Sequence, residues 1–92
     1  MSVRMDRPSR SKKRLAAMKR NPRDGWTIHD VVFLCRAFVL ICIPPANGSH
    51  YVVGRPRIKG LLTIPAHRPI KPVHVMLLVQ LVERALEIEG FE

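Results

Sequence analysis

Ninety-two residues make one small domain with room for a tail. A chain of this size buries only about 60% of the surface its unfolded form exposes, so its stability margin is thin, and it is too short for a TIM barrel or a Rossmann domain with its own substrate domain. Hydrophobic residues at 47% and charged residues at 25% exclude full disorder, while 16 Lys+Arg against 7 Asp+Glu leave a net charge of +9 that fits a polyanionic partner: nucleic acid, an acidic membrane or an acidic protein.

The charge is concentrated in residues 1–24. Arg4, Arg7, Arg10, Lys12, Lys13, Arg14, Lys19, Arg20 and Arg23 face only Asp6 and Asp24 there. Between Pro8 and Pro22 the helix formers are good, but the apolar face of Leu15, Ala16 and Met18 is weak. A short frayed helix and disorder are balanced readings. Residues 1–24 are therefore read as a flexible basic arm, either solvated or touching phosphates. An arm contacting Z phosphates makes log affinity fall against log salt with a slope of about 0.7Z on single strands.

The folded domain is read over residues 25–88, with a tail at 89–92. Thr27 is an N-cap candidate, with Asp30 three residues on. Ile28, Val31, Val32, Cys35 and Phe38 keep helical spacing and predict a helix over 27–37. Residues 39–43 are short, largely β-branched and closed by Pro44 and Pro45, which predicts a strand. Asn47 and Gly48 signal a turn. A second strand is expected over 49–53, stopped by Gly54 and Pro56, and a third over 60–64, stopped by Pro65. Pro69 and Pro72 mark the entry to a last helix over 72–87. Val75, Leu78, Val79, Val82, Ala85 and Leu86 form its apolar face, and Gln80, Glu83, Arg84 and Glu87 its polar one. Met76, Leu77 and Leu81 widen the apolar part beyond half the girth. Such a helix is first a core element, and it is also a surface for homo- or hetero-oligomer contact.

Three short strands joined by tight turns are antiparallel by default. Helices at both ends pack on one face of that sheet. The expected fold is α+β: a two-layer helix–three-stranded antiparallel sheet–helix domain. Cys35 and Cys42 have neither a metal spacing nor that of a redox pair, and read as small buried hydrophobes in a reducing cytosol. No signal peptide is visible, and the longest apolar run, 37–43, is far short of the ~20 residues a spanning helix needs. A cytoplasmic protein without a membrane partner is expected.

No pair among His29, His50, His67 and His74 has zinc spacing with a third ligand, so neither metal nor cofactor is expected. His29 and His74 fall in first helical turns and read as exposed surface residues. His50 follows the turn at Gly48 and Ser49, and His67 follows Pro65 in the loop leaving the third strand. Arg55, Arg57, Lys59, Arg68 and Lys71 lie around them in sequence. Imidazole with clustered cations is what metal-independent RNA cleavage requires. A neutral imidazole takes the ribose 2′-hydroxyl proton, that oxygen attacks the adjacent phosphorus, and cations stabilise the charge that develops. An imidazole pKa near ~6.5 suits both proton steps.

Three segments stand in a fixed order: Gly48-Ser49-His50-Tyr51, Leu62-Thr63-Ile64-Pro65-Ala66-His67, and Arg68-Pro69-Ile70-Lys71-Pro72 before a final helix. Together with Lys19-Arg20-Asn21-Pro22-Arg23, Trp26-Thr27-Ile28 and Cys35-Arg36-Ala37-Phe38 upstream, this pattern resembles the HicA family of toxin mRNA interferases over residues 18–86. The resemblance implies a fold like the double-stranded-RNA-binding domain. It implies mRNA cleavage without a metal, growth arrest, and neutralisation by a HicB-type antitoxin. The family's catalytic histidine falls on His50, with Gly48 permitting the turn that presents it and Ser49 orienting the imidazole or a phosphate. His67 is a candidate second acid/base or phosphate contact. Arg68 and Lys71, from charge and location, and Lys59 among the same cations are candidates for RNA binding. The alternatives are a non-catalytic RNA-binding module and a degenerate toxin that acts only through antitoxin binding.

Overall fold

The computed structural model describes residues 9–89. Residues 1–8 of the expected arm and the end of the expected tail, 90–92, lie outside them. The elements are α1 (Arg10–Arg20), α2 (Ile28–Ala37), β1 (Ile41–Ile43), β2 (His50–Gly54), β3 (Leu62–Pro65) and α3 (Pro72–Glu89). The strands form one antiparallel sheet in the order β1-β2-β3. The architecture is α+β, with the sheet set between helices in the chain.

α1 departs from the reading of residues 1–24 as a flexible arm. Ser9 caps it, its hydroxyl accepting from the Lys12 amide at 3.1 Å. Leu15 and Met18, three residues apart, stand on one face, and both are buried, Met18 completely. That stripe is too narrow to hold a helix alone. It suffices because α2 and α3 supply the other walls of the core. Two ion pairs fix the helix at its sides: Arg14 to Asp30 of α2 at 3.1 Å, and Lys19 to Glu83 of α3 at 2.7 Å. The Arg14 guanidinium also lies 4.2 Å from the Phe33 ring centre.

α2 starts where Thr27 and Asp30 place it. The Thr27 amide donates to Asp30 Oδ2 at 2.8 Å, and the Thr27 hydroxyl reaches the same oxygen at 3.3 Å. Its other end sets where β1 begins. Phe38 caps the helix, Val39 turns left-handed at φ 57°, and the Leu40 amide donates back to the Cys35 carbonyl at 2.8 Å. This is a Schellman-type stop. It draws Val39 and Leu40 out of the strand expected over 39–43, and β1 keeps only three residues.

The pairing register sorts the sheet into two faces. Cys42 opposes Val53, which opposes Leu62, and Tyr51 opposes Ile64. These five point toward the helices, and Val53 and Ile64 are fully buried. Ile41, Ile43, His50, Val52 and Thr63 point the other way, where Ile41 and Ile43 are about half exposed. α3 covers the inner face with Val75, Leu78, Val79, Val82 and Ala85, all buried. It runs to Glu89 rather than 87. Val73, Leu77 and Ile88 stay exposed on its far side. Among the described residues no helix is long and apolar enough to cross a membrane.

Two substitutions test this packing. Met18→Ala removes a fully buried side chain and is expected to cost roughly 2–5 kcal/mol in urea unfolding; a cost near zero would detach α1 from the core. Val39 is a β-branched residue held where glycine is preferred, and 71% exposed. Val39→Gly is expected to raise stability by about 1 kcal/mol, read as a higher melting temperature.

Candidate functional site

The β2–β3 ladder decides which side chains meet. Six residues, 44–49, connect β1 to β2, and Gly48 takes φ 83° there, a left-handed conformation open to glycine at little cost. The turn delivers His50 as the first residue of β2, on the outer face and exposed. His50 pairs with Pro65, the last residue of β3. One more backbone bond extends the ladder: the Ala66 amide donates to the Ser49 carbonyl at 2.7 Å.

Residues 66–71 then form a strap tied at both ends. Ala66 is held by Ser49. Ile70 is buried, and its amide donates to the Trp26 carbonyl at 2.8 Å. Trp26 is itself anchored, its indole Nε1 donating to the Asn21 carbonyl at 2.7 Å. Between the two ties, His67, Arg68 and Pro69 are exposed. Lys71 follows, also exposed, and its carbonyl accepts the His74 and Val75 amides at 2.9 and 3.1 Å to start α3. Main-chain bonds thus set Ser49, His50 and Ala66 at one end of the sheet, and the strap carries His67 and Arg68 from there to Lys71 at the start of α3.

Lys59 is not part of this group. It sits in the loop between β2 and β3, beyond the opposite end of the ladder. Three residue steps of strand, roughly 10 Å, separate the His50–Pro65 pair from the Val53–Leu62 pair before that loop begins. Lys59 instead lines a groove of about 390 Å³ against α3, with Ile58, Leu61, Leu77, Leu81 and Arg84 among its walls. Arg55, from the same loop, donates to the Val39 carbonyl at 2.8 Å.

The electrostatic setting is one-sided. No Asp or Glu occurs between Asp30 and Glu83, a stretch that contains the whole sheet, both connecting loops and the strap. That stretch therefore brings cations but no carboxylate to the His50 end of the sheet. His50 and His67 are both exposed imidazoles able to exchange a proton with a ligand, and Arg68 and Lys71 are exposed cations able to hold an anion. Among the described residues no three His, Cys, Asp or Glu side chains gather so as to hold a metal ion.

The remaining histidines differ from each other. His29 is exposed, in keeping with its position in the first turn of α2. His74, expected on the surface, is half-buried, and its Nδ1 is buried without a hydrogen-bond partner. It packs inward because it precedes Val75 on a helix whose burial extends over more than one stripe. The sequence reading also missed that Cys35 and Cys42 come together. The signal was there in the two periodicities, since both positions fall on core-facing sides.

The fold and this surface define a small α+β domain with a cationic, histidine-bearing sheet end. Comparison of the chain with protein-family models, curated proteins and solved structures found no match.

Proposed function

We propose that this protein is a small cytoplasmic endoribonuclease of the HicA toxin type, cleaving mRNA with His50 as its essential imidazole. The observation that carries the reading is the exposed position of His50 at the end of the β2–β3 ladder, beside the tied strap that bears His67 and Arg68. An imidazole sealed in the core could not meet a transcript. Here the ring stands on the open face of the sheet.

The chemistry follows from those groups. Neutral His50 takes the proton from a ribose 2′-hydroxyl. The oxygen attacks the neighbouring phosphorus in line, and the bond to the 5′-oxygen breaks as that oxygen receives a proton. His67, the second exposed imidazole toward this end, is the candidate donor of that proton or a contact to the phosphate. Arg68 and Lys71 stabilise the added negative charge. Gly48 and Ser49 hold the turn through which the RNA backbone approaches. The products are a 2′,3′-cyclic phosphate and a 5′-hydroxyl, and no metal or cofactor enters the scheme.

A HicB-type antitoxin fits the same reading as a second partner. Leu77 on α3 and Leu61 in the β2–β3 loop are exposed on the groove that Lys59 and Arg84 flank. An apolar segment carrying acidic residues complements that groove in both polarity and charge. This keeps α3 as the hetero-oligomer surface and moves Lys59 from RNA binding to protein binding.

His50→Ala is expected to lower cleavage of a single-stranded RNA at least ~100-fold while circular dichroism is unchanged. Cleavage in EDTA should persist, and a substrate with a 2′-deoxy sugar at the cut site should resist. Wild-type protein that binds RNA and yields no product would leave a non-catalytic binding module instead. Replacing Arg68 and Lys71 by Ala is expected to flatten the salt dependence of RNA binding by about 0.7 for each phosphate that is no longer neutralised. An unchanged slope would remove both from the interface.

A further inference from the structure

Two thiols seven residues apart in sequence meet at the corner where α2 turns into β1. Cys35 lies in the last turns of α2 and is 1% exposed. Cys42 is the central residue of β1, on the core-facing side of the sheet, and is half-buried. The bond from the Leu40 amide to the Cys35 carbonyl folds the chain back between them. Both cysteines line one cavity of about 370 Å³, together with Val32, Leu40, Pro44 and Tyr51. Cys42 stands near enough to the Cys35 thiol to oppose its ionisation. Both sulfurs are free.

We propose that Cys35 and Cys42 form a dithiol site that a hydroperoxide oxidises to an intramolecular disulfide, tying α2 to the edge strand. The site lies on the inner face of the sheet and stands apart from the nuclease reading, which uses neither sulfur.

The two cysteines have different parts. Burial above all, then the nearby Cys42 sulfur, push the Cys35 thiol up to about 12. Cys35 therefore keeps its proton at neutral pH and is not the sulfur that meets the oxidant. Cys42, the less buried of the two, is. Its thiolate attacks the hydroperoxide: an S–O bond forms, the O–O bond breaks, and the leaving oxygen is protonated to water or alcohol. Cys42 is then a sulfenic acid. The Cys35 sulfur attacks the Cys42 sulfur, an S–S bond forms and the S–O bond breaks. The departing hydroxide takes the Cys35 proton and leaves as water. Two thiols give up two electrons and the peroxide receives them.

The full-length protein treated with hydrogen peroxide is expected to lose both thiols together, with the intact mass falling by about 2 Da and the chain still monomeric on a non-reducing gel. Trypsin cuts after Arg23, Arg36 and Arg57, so the disulfide appears as residues 24–36 joined to residues 37–57. Dithiothreitol should separate the pair and restore the original mass. Cys42→Ser, which leaves the buried Cys35 in place, should keep its single thiol under the same peroxide dose. Three results would overturn the proposal. One is a gain of about 32 Da from a sulfinic acid at Cys42 alone. Another is a disulfide-linked dimer. The third is two intact thiols under a dose that oxidises an unstructured cysteine peptide.

Discussion

One main-chain bond, from the Ala66 amide to the Ser49 carbonyl at 2.7 Å, decides what stands beside His50. It carries the β2–β3 ladder one step past the His50–Pro65 pair and fixes where the chain leaves the sheet. The strap from 66 to 71 inherits its position from that bond and from the tie of Ile70 to Trp26. Residues remote in sequence are set side by side by backbone groups whose geometry does not depend on the side chains they carry. The exposed side chains of the strap are consequently free to serve a ligand, because none of them is needed to hold the strap in place.

The same economy governs the core. A domain this small has a large surface for its volume, so each buried side chain matters. The sheet's inner face offers five residues, and α2 and α3 cover it. α1 adds Leu15 and Met18 to that core where it packs on α2 and α3, on a domain with little stability to lose. Its ion pairs to Asp30 and Glu83 involve part-exposed side chains and contribute less than the two buried ones. Their value lies in orienting a helix that is otherwise strongly cationic.

Much of this was legible in the residues. Helical spacing from Ile28 to Phe38 and from Val75 to Leu86, and proline and glycine stops around three short apolar runs, were enough for the α+β order. What was hidden depends on partners distant in the chain. Leu15 and Met18 look like a poor apolar face until α3 is beside them. Val39 looks like a strand residue, and only the helix stop at Phe38 makes it a left-handed hinge. A three-strand meander can bring the ends carrying His50 and His67 near each other, but the sequence does not fix how near; that needs the pairing of His50 with Pro65. Lys59 could not be placed by its nearness to them in sequence, since a hairpin sends its loop to the far end. The pairing of Cys35 with Cys42 needed both the period of 3.6 on α2 and the period of 2 on β1 to be followed through the same corner.

The brevity of β1 has an outcome for molecules in a crowd. Its outward isoleucines, Ile41 and Ile43, sit on a rim of the sheet that no further strand among the described residues covers. Such a rim invites a neighbour to stitch itself on and start a fibril. Here the stitching stops almost at once: the left-handed kink at Val39 ends it on one side, and Pro44 and Pro45, which lack amide hydrogens, end it on the other. Three residues are too few to template a growing stack, so the greasy rim can stay bare without becoming a seed.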